Sequence, residues 1–310
     1  MTVVAPSMAP IISVRDLTKR YHDVVAVDHI SFDVHPGEIL GIVGPNGAGK
    51  TSAVESIMGL RDCDGDVRVL GVDPRQDRQQ LALRIGMQMQ EAQLPPRVTP
   101  LEILDLFASF YPQTVSSTSL LNTWGLWDKR GSYFETLSGG QKQRLFIALA
   151  LINQPEVVFL DELTTGLDPQ ARRQTWDLVT QIREHGTTVL LVTHFMDEAE
   201  RLCDRVGIID GGKLIALDTP TTLLTQVSHE NGLCFEAQSQ LDVSRLRALA
   251  AVDRVDDSSD VVRVFGTAAD LVSAVVLELE QQRLPLRNFR TIQPSLEDVF
   301  LHLTGKDLRD

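Results

Sequence analysis

The stretch GPNGAGKT, residues 44–51, limits the folds open to this chain more than any other segment. It matches G-x-x-x-x-G-K-[ST], in which glycines let the backbone curl at φ values that other residues resist. Alone the pattern is a Gly-rich turn with a lysine, but its context here is complete. An apolar run, EILGIV (38–43), leads in like a buried strand, and KTSAVESIM (50–58) leads out with helical patterning. Strand, tight loop and helix N-terminus in that order point backbone N–H groups at an anion. Such a loop calls for a parallel sheet covered on both faces, an α/β fold.

The rest of the chain agrees with that layout. Strand-like alternation runs through IISVRDLTKRY and VVAVDHISFDV, with HPGE (35–38) as a turn before the phosphate-loop strand. Two further apolar runs of strand length are EVVFL (156–160) and TTVLLVT (187–193). Between them ARRQTWDLVTQIREHG starts behind Pro169 and stops at Gly186, the punctuation of a helix. Residues 95–135 look helical instead, in LEILDLFASFY and LLNTWGLW, and read as a helical insert. After about residue 222 comes strand CFEAQ (234–238), helix LDVSRLRALA, strands VDRVD and VVRVFG, helix AADLVSAVVLELEQQ, strand LRNFRTI and helix SLEDVFLHLTG. This βαββαβ order predicts a small ferredoxin-like α+β unit. The layout is therefore a tail at 1–10, a main domain at 11–222 with a helical subdomain at about 95–150, and an accessory domain at 223–310.

A formal net charge of -13 argues against nucleic acid and anionic lipid as direct partners. Three scattered cysteines with no CxxC pair suggest neither a zinc knuckle nor a disulfide framework. No basic residue precedes Arg15, so the start does not read as a signal peptide, and no apolar run approaches the ~20 residues of a membrane helix. The chain reads as a soluble, cytosolic one.

Chemistry concentrates at a few positions. Gly44, Pro45, Asn46, Gly47, Ala48 and Gly49, with Lys50, Thr51 and Ser52 opening the helix, form the candidate nucleotide cradle. Lys50 would reach the β- and γ-phosphates and the Thr51 hydroxyl would hold Mg2+. VVFLDE (157–162) ends a buried strand in two acids, a costly placement unless a cation or partner is served. Asp161 suits Mg2+, and Glu162 then polarises the attacking water. LSGGQKQR (137–144) looks like half of a second phosphate site: a hydroxyl and two glycines opening a helix, without a Lys-Thr pair.

GPNGAGKT, LSGGQKQR and VVFLDE in this order resemble the ATP-binding subunit of an ABC transporter, and the resemblance covers nearly the whole chain. It implies a P-loop NTPase core and two such domains paired head to tail, with ATP between the phosphate loop of one and LSGGQ of the other. Ser138, Gly139, Gly140 and Gln141 would then serve the partner's nucleotide. The resemblance also implies that Tyr21 stacks on adenine and that Gln90 of IGMQMQ (85–90) touches Mg2+ and the water. Gln88 nearby leaves that last match ambiguous. Asp168 of TTGLDP (164–169) would cross to the partner's site, and His194 of VTH would contact the γ-phosphate. One departure is Leu163, where the family usually has proline after the two acids; proline would favour extended backbone at Glu162. PSLEDVFLHLTGKDLRD (294–310) and THFMDEAERLCDRVGIIDGGKL resemble the bacterial drug- and antibiotic-resistance exporters. The implied partners are a separate membrane permease and a second ATP-binding subunit, taken to be a copy of this chain, on the cytoplasmic face of the membrane. An importer subunit and a soluble, non-transport ABC ATPase are the alternatives.

Overall fold

The computed structural model describes residues 9–89, 93–225, 231–236, 241–257, 261–268, 270–284, 287–292 and 294–305. Gln90, residues 1–8 of the expected tail, 237–238 of the strand CFEAQ, 269 and 286 within later expected elements, and 306–310 lie outside them. The chain divides into two compact units, one running to Pro220 and resuming at Leu303, the other spanning Thr221–His302.

The first unit opens with the hairpin β1 (Ile12–Tyr21) and β2 (Val24–Val34), followed by β3 (Ile39–Val43), α1 (Lys50–Ile57), β4 (Asp64–Val69), α2 (Arg78–Ala82) and β5 (Ile85–Gln88). Helices α3 (Pro100–Ala108), α4 (Ser117–Thr123) and α5 (Gly139–Ala150) come next, with short 3-10 turns at Trp127–Lys129 and Phe134–Thr136. Helix α3 is started by a capping box in which Thr99 and Glu102 satisfy each other's backbone N–H groups, with Pro100 at the first turn. The unit continues with β6 (Val157–Asp161), α6 (Pro169–Glu184), β7 (Thr188–Thr193), α7 (Met196–Leu202), β8 (Arg205–Asp210) and β9 (Lys213–Asp218), and this stretch ends at Pro220, the first residue of α8 (Pro220–Leu224).

Two sheets result. The strands β2-β1-β4 form an antiparallel one; β5-β6-β7-β3-β8-β9 form a mostly parallel one with only β9 antiparallel. Strands β3, β6 and β7 are buried at every position, as parallel strands covered on both faces must be. Ile12 and Val14 of β1, Val54 and Ile57 of α1, and Leu40, Phe159 and Val192 of the parallel sheet share one core. The register places Val43 beside Thr193 and Asp161 beside Val192. The carboxyl ends of β3, β7 and β6 are therefore neighbours, and the residues just beyond them meet at one sheet edge, where ligands bind in open α/β sheets.

The second unit has the expected order: β10 (Asn231–Glu236), α9 (Val243–Arg247), β11 (Arg254–Asp256), β12 (Val261–Gly266), α10 (Leu271–Gln281), β13 (Arg290–Ile292) and α11 (Leu296–Thr304). Its sheet runs β11-β12-β10-β13, all antiparallel, the ferredoxin-like arrangement. Leu233, Phe235, Val262 and Val264 of that sheet pack with Leu246 of α9 and Leu271, Val275 and Leu279 of α10.

Candidate nucleotide site

The loop after β3 is forced into shape by backbone on either side. Gly44 has φ +154, and a Cβ there would lie 2.0 Å from Ile209 O; Gly49 has φ +101, and its Cβ would lie 2.2 Å from Ala26 O. No other residue fits either position without moving a strand. The Gly212 N–H donates to Ala48 O at 2.9 Å, tying the loop to the turn after β8. No side chain caps α1 at Gly49, and its first turn carries no acid, so its positive end stays available to an anion. Lys50 Nζ donates to Gly44 O and Pro45 O, both at 2.9 Å, which holds the ammonium over the loop. Lys50 is only 5% exposed; burial lowers its pKa, while the nearby Glu162 and Asp161 carboxylates raise it. Thr51 and Ser52 follow on the first turn of α1.

Asp161 closes β6 at 4% exposure. Thr51 Oγ1 donates to its Oδ2 at 3.4 Å, while its Oδ1 is buried with no hydrogen-bond partner among the described residues. Burial, with Glu162 adjacent, pushes the Asp161 carboxyl up to about 6. A hydroxyl beside an orphaned buried carboxylate oxygen is a donor set that suits a hard divalent cation such as Mg2+. Among the described residues no cluster of three or more His, Cys, Asp or Glu could cage a metal; water and phosphate oxygens would serve as further ligands of such an ion.

Glu162 follows at φ +49, left-handed geometry that is costly for a residue with a side chain and tends to mark functional sites. Its N–H donates to Val192 O at 2.9 Å, which fixes it against β7. The extended geometry that proline at 163 would have favoured is not adopted; Leu163 is instead 1% exposed, part of the core. Thr165 Oγ1 donates to Glu162 Oε2 at 3.3 Å, and His194 Nδ1 lies 3.1 Å from Glu162 Oε1. Against an ionised carboxylate that nitrogen carries the proton. Thr165 was not among the residues expected from the sequence; its place in TTGLDP, three residues after Glu162, is the signal that could have found it.

Tyr21 ends β1 at 37% exposure, with Lys19 Nζ 4.9 Å from its ring centre, so a ring is present for a base to stack on. Gln88, the ambiguous alternative to Gln90, is 5% exposed; its Nε2 donates to Met89 O at 2.8 Å, and its Oε1 has no hydrogen-bond partner among the described residues.

The LSGGQ stretch builds the start of α5. Ser138 Oγ accepts from Gln141 N at 3.3 Å and Gln141 Oε1 accepts from Ser138 N at 2.9 Å, a complete capping box. A Cβ on Gly139 would meet nothing closer than Leu167 Cδ2 at 3.5 Å, and one on Gly140 would lie 3.1 Å from the Ala171 Cβ. Asp168 caps α6, its Oδ1 accepting from Gln170 N and Ala171 N at 2.9 Å each. Ser138, Gly139, Gly140, Leu167 and Asp168 line one groove of about 330 Å³, so two helix N-termini open side by side. The structure thus gathers Lys50, Thr51, Asp161, Glu162 and His194 in one place, and Ser138, Gly139, Gly140 and Asp168 in another.

Comparison with known proteins follows the same lines. Residues 27–165 match the ABC transporter family. The chain is 36% identical to the Nod factor export ATP-binding protein I of Ralstonia nicotianae, across 97% of this chain and 96% of that protein. It is 34% identical to the linearmycin resistance ATP-binding protein LnrL of Bacillus subtilis, across 95% and 98%. Among solved structures, an ATP-binding subunit of an ABC transporter superposes with a TM-score of 0.63 at 26% identity, covering 70% of this chain and 92% of that one. An ATP-binding cassette in a dimeric, post-hydrolysis state with ADP and Pi does so at 0.60 and 26%, covering 67% and 98%.

Proposed function

The chain belongs to the ABC transporters as an ATP-binding, ATP-hydrolysing subunit of the exporter type, and on that premise we propose how its residues divide the work. The loop 44–49 and the first turn of α1 wrap the phosphates, Lys50 neutralises the β- and γ-phosphate oxygens, and Tyr21 stacks on the adenine. Thr51 and Asp161, joined by Gln90, hold Mg2+, which when bound offsets charge on the phosphates. Glu162 orients the attacking water and accepts its proton; the water oxygen bonds to the γ-phosphorus as the bond to ADP breaks. His194, hydrogen-bonded to Glu162, faces the γ-phosphate. Ser138, Gly139, Gly140, Gln141 and Asp168 complete the site of a second copy, so two ATP molecules clamp two chains and hydrolysis releases them.

One observation carries the clamp reading. Gly139 opens a helix at a position where the chain itself leaves room for a side chain, whereas Gly44 and Gly49 are forced by their own surroundings. A glycine that no internal contact requires makes sense where something from outside approaches the backbone closely.

No helix among the described residues is long and apolar enough to cross a membrane. The membrane path is accordingly assigned to a separate permease, with this chain held on its cytoplasmic face. Likeness to proteins named for Nod factor export and linearmycin resistance supports a drug, antibiotic or lipid-like cargo. The test is recovery of the tagged chain from native membranes in mild detergent, read by mass spectrometry. One polytopic membrane protein in stoichiometric amount supports the exporter; ribosomes, repair factors or no partner contradict it.

A further inference from the structure

Behind His194 stands a stack of rings and guanidinium groups that the hydrolytic site does not by itself require. Arg172 lies on the first turn of α6, its N–H donating to Asp168 O at 2.9 Å. Its guanidinium carbon is 4.4 Å from the Phe195 ring centre and 4.9 Å from that of Trp176. One terminal nitrogen donates to Asp197 Oδ1 at 2.5 Å. Nε is buried with no hydrogen-bond partner among the described residues. The far wall is fixed: Trp176 Nε1 donates to Oε1 of the fully buried Glu198 at 2.9 Å, and Arg201 covers the same ring at 5.4 Å.

Phe195 is the pivot. It occupies the position that starts α7, where a Ser, Thr, Asp or Asn would cap the helix, and its side chain offers no cap. Its ring lies instead against the imidazole of His194, centres 4.0 Å apart and planes at 40°. His194 in turn reaches Glu162.

We propose that Arg172 is a positioning residue for hydrolysis: by clamping Phe195 it sets the plane of the His194 imidazole, and so ties that ring to the helix that Asp168 caps. The inference rests on the reading of Glu162 and His194 as groups at the reacting phosphate. Lysine can substitute only in part, because it keeps the charge toward Asp197 but not the flat face between two rings.

The test is steady-state ATP hydrolysis by the full chain, for Arg172→Met, Arg172→Lys and Phe195→Leu, each alone and combined with His194→Ala. A misaligned reacting group shows in kcat rather than KM. Arg172→Met is expected to lower kcat by about tenfold or more with KM for ATP changed less than about twofold, Arg172→Lys by less, and Phe195→Leu about as much as Arg172→Met. Combined with His194→Ala, none of the three should cause a further loss, because they act through a ring that is gone. An undiminished kcat, or an equal loss with and without His194, overturns the clamp. If His194→Ala itself leaves kcat unchanged, the reading of the site fails and the clamp with it; failure of the clamp alone leaves the His194→Ala loss intact. Should Arg172→Met not fold, Phe195→Leu, which keeps the Arg172–Asp197 pair, decides by the same comparison.

Discussion

The loop at 44–51 and the stretch at 137–144 both set glycines ahead of a helix, yet the glycines are there for different reasons. In the first, side chains added at Gly44 and Gly49 would collide with Ile209 O and Ala26 O, so the fold of the single chain dictates those two. In the second, the helix start is capped by Ser138 and Gln141, and Gly139 has space. The loop side also holds the buried Lys50 and Asp161 and the half-buried Glu162, whereas the groove beside Gly139 is lined by Ser138, Leu167 and Asp168. On the proposed reading, one region carries the chemistry and the other presents an anion-binding end, and two unequal halves of this kind become one site when two chains meet head to tail.

Substitutions can break this comparison at several strengths. Glu162→Gln strikes the loop side hardest: kcat should fall by about 10²–10⁴-fold with ATP affinity kept, as measured by phosphate release and nucleotide titration. Gly49→Ala should cost about 3 kcal/mol or more and abolish ATP binding, because the new methyl meets a strand carbonyl at a φ that alanine resists; thermal melting reads the loss.

A smaller effect follows from Asp161. Its carboxyl is pushed from an ordinary 3.8 up to about 6, so between those values the folded chain holds a proton that the unfolded chain has released. That contribution is fully present below 3.8 and is lost as pH rises through about 6. In metal- and nucleotide-free buffer the parent should lose about 1–3 kcal/mol over this window. Asp161→Asn should not, and should therefore be the more stable protein above pH 6 and not below pH 4. A parallel pH profile for the two proteins in denaturant melts would remove the buried carboxylate from the account.

The smallest stability change sharpens the comparison by its sign. Gly139→Ala should leave the chain as stable or up to about 1 kcal/mol more so, since alanine suits a helix better than glycine. It should nevertheless slow hydrolysis, because on the proposed reading the methyl would stand where the partner's phosphate belongs. A gain in stability with unchanged turnover would show that the glycine faces nothing.

The core of the site was legible because its strands are nearly pure apolar runs ending in the groups that matter. ILGIV, VVFLD and TVLLVT became β3, β6 and β7, and their register brings the phosphate loop, the two acids and His194 together. Strand β4 was not legible. DGDVRV opens with residues that disfavour strands, and only Val67 and Val69 are buried; pairing with Ile12 and Val14 of β1 supplies what local propensity lacks. The left-handed turn at Glu162 was hidden as well, since it depends on the hydrogen bond to Val192 O, a partner distant in sequence. Arg172 and Phe195 belong to no spacing pattern and meet only once α6 and α7 have packed. Asp168 shows a double use: the Asp-Pro pair that marks a helix start also lines the groove beside LSGGQ.

The most direct measurement is the mass of the Glu162→Gln chain by light scattering at saturating Mg-ATP, alone and with Gly139→Glu added. The account predicts an ATP-dependent dimer for the first and a monomer that still binds ATP for the second. A Glu162→Gln chain that stays monomeric, or a dimer that survives Gly139→Glu, would contradict a site shared between two copies.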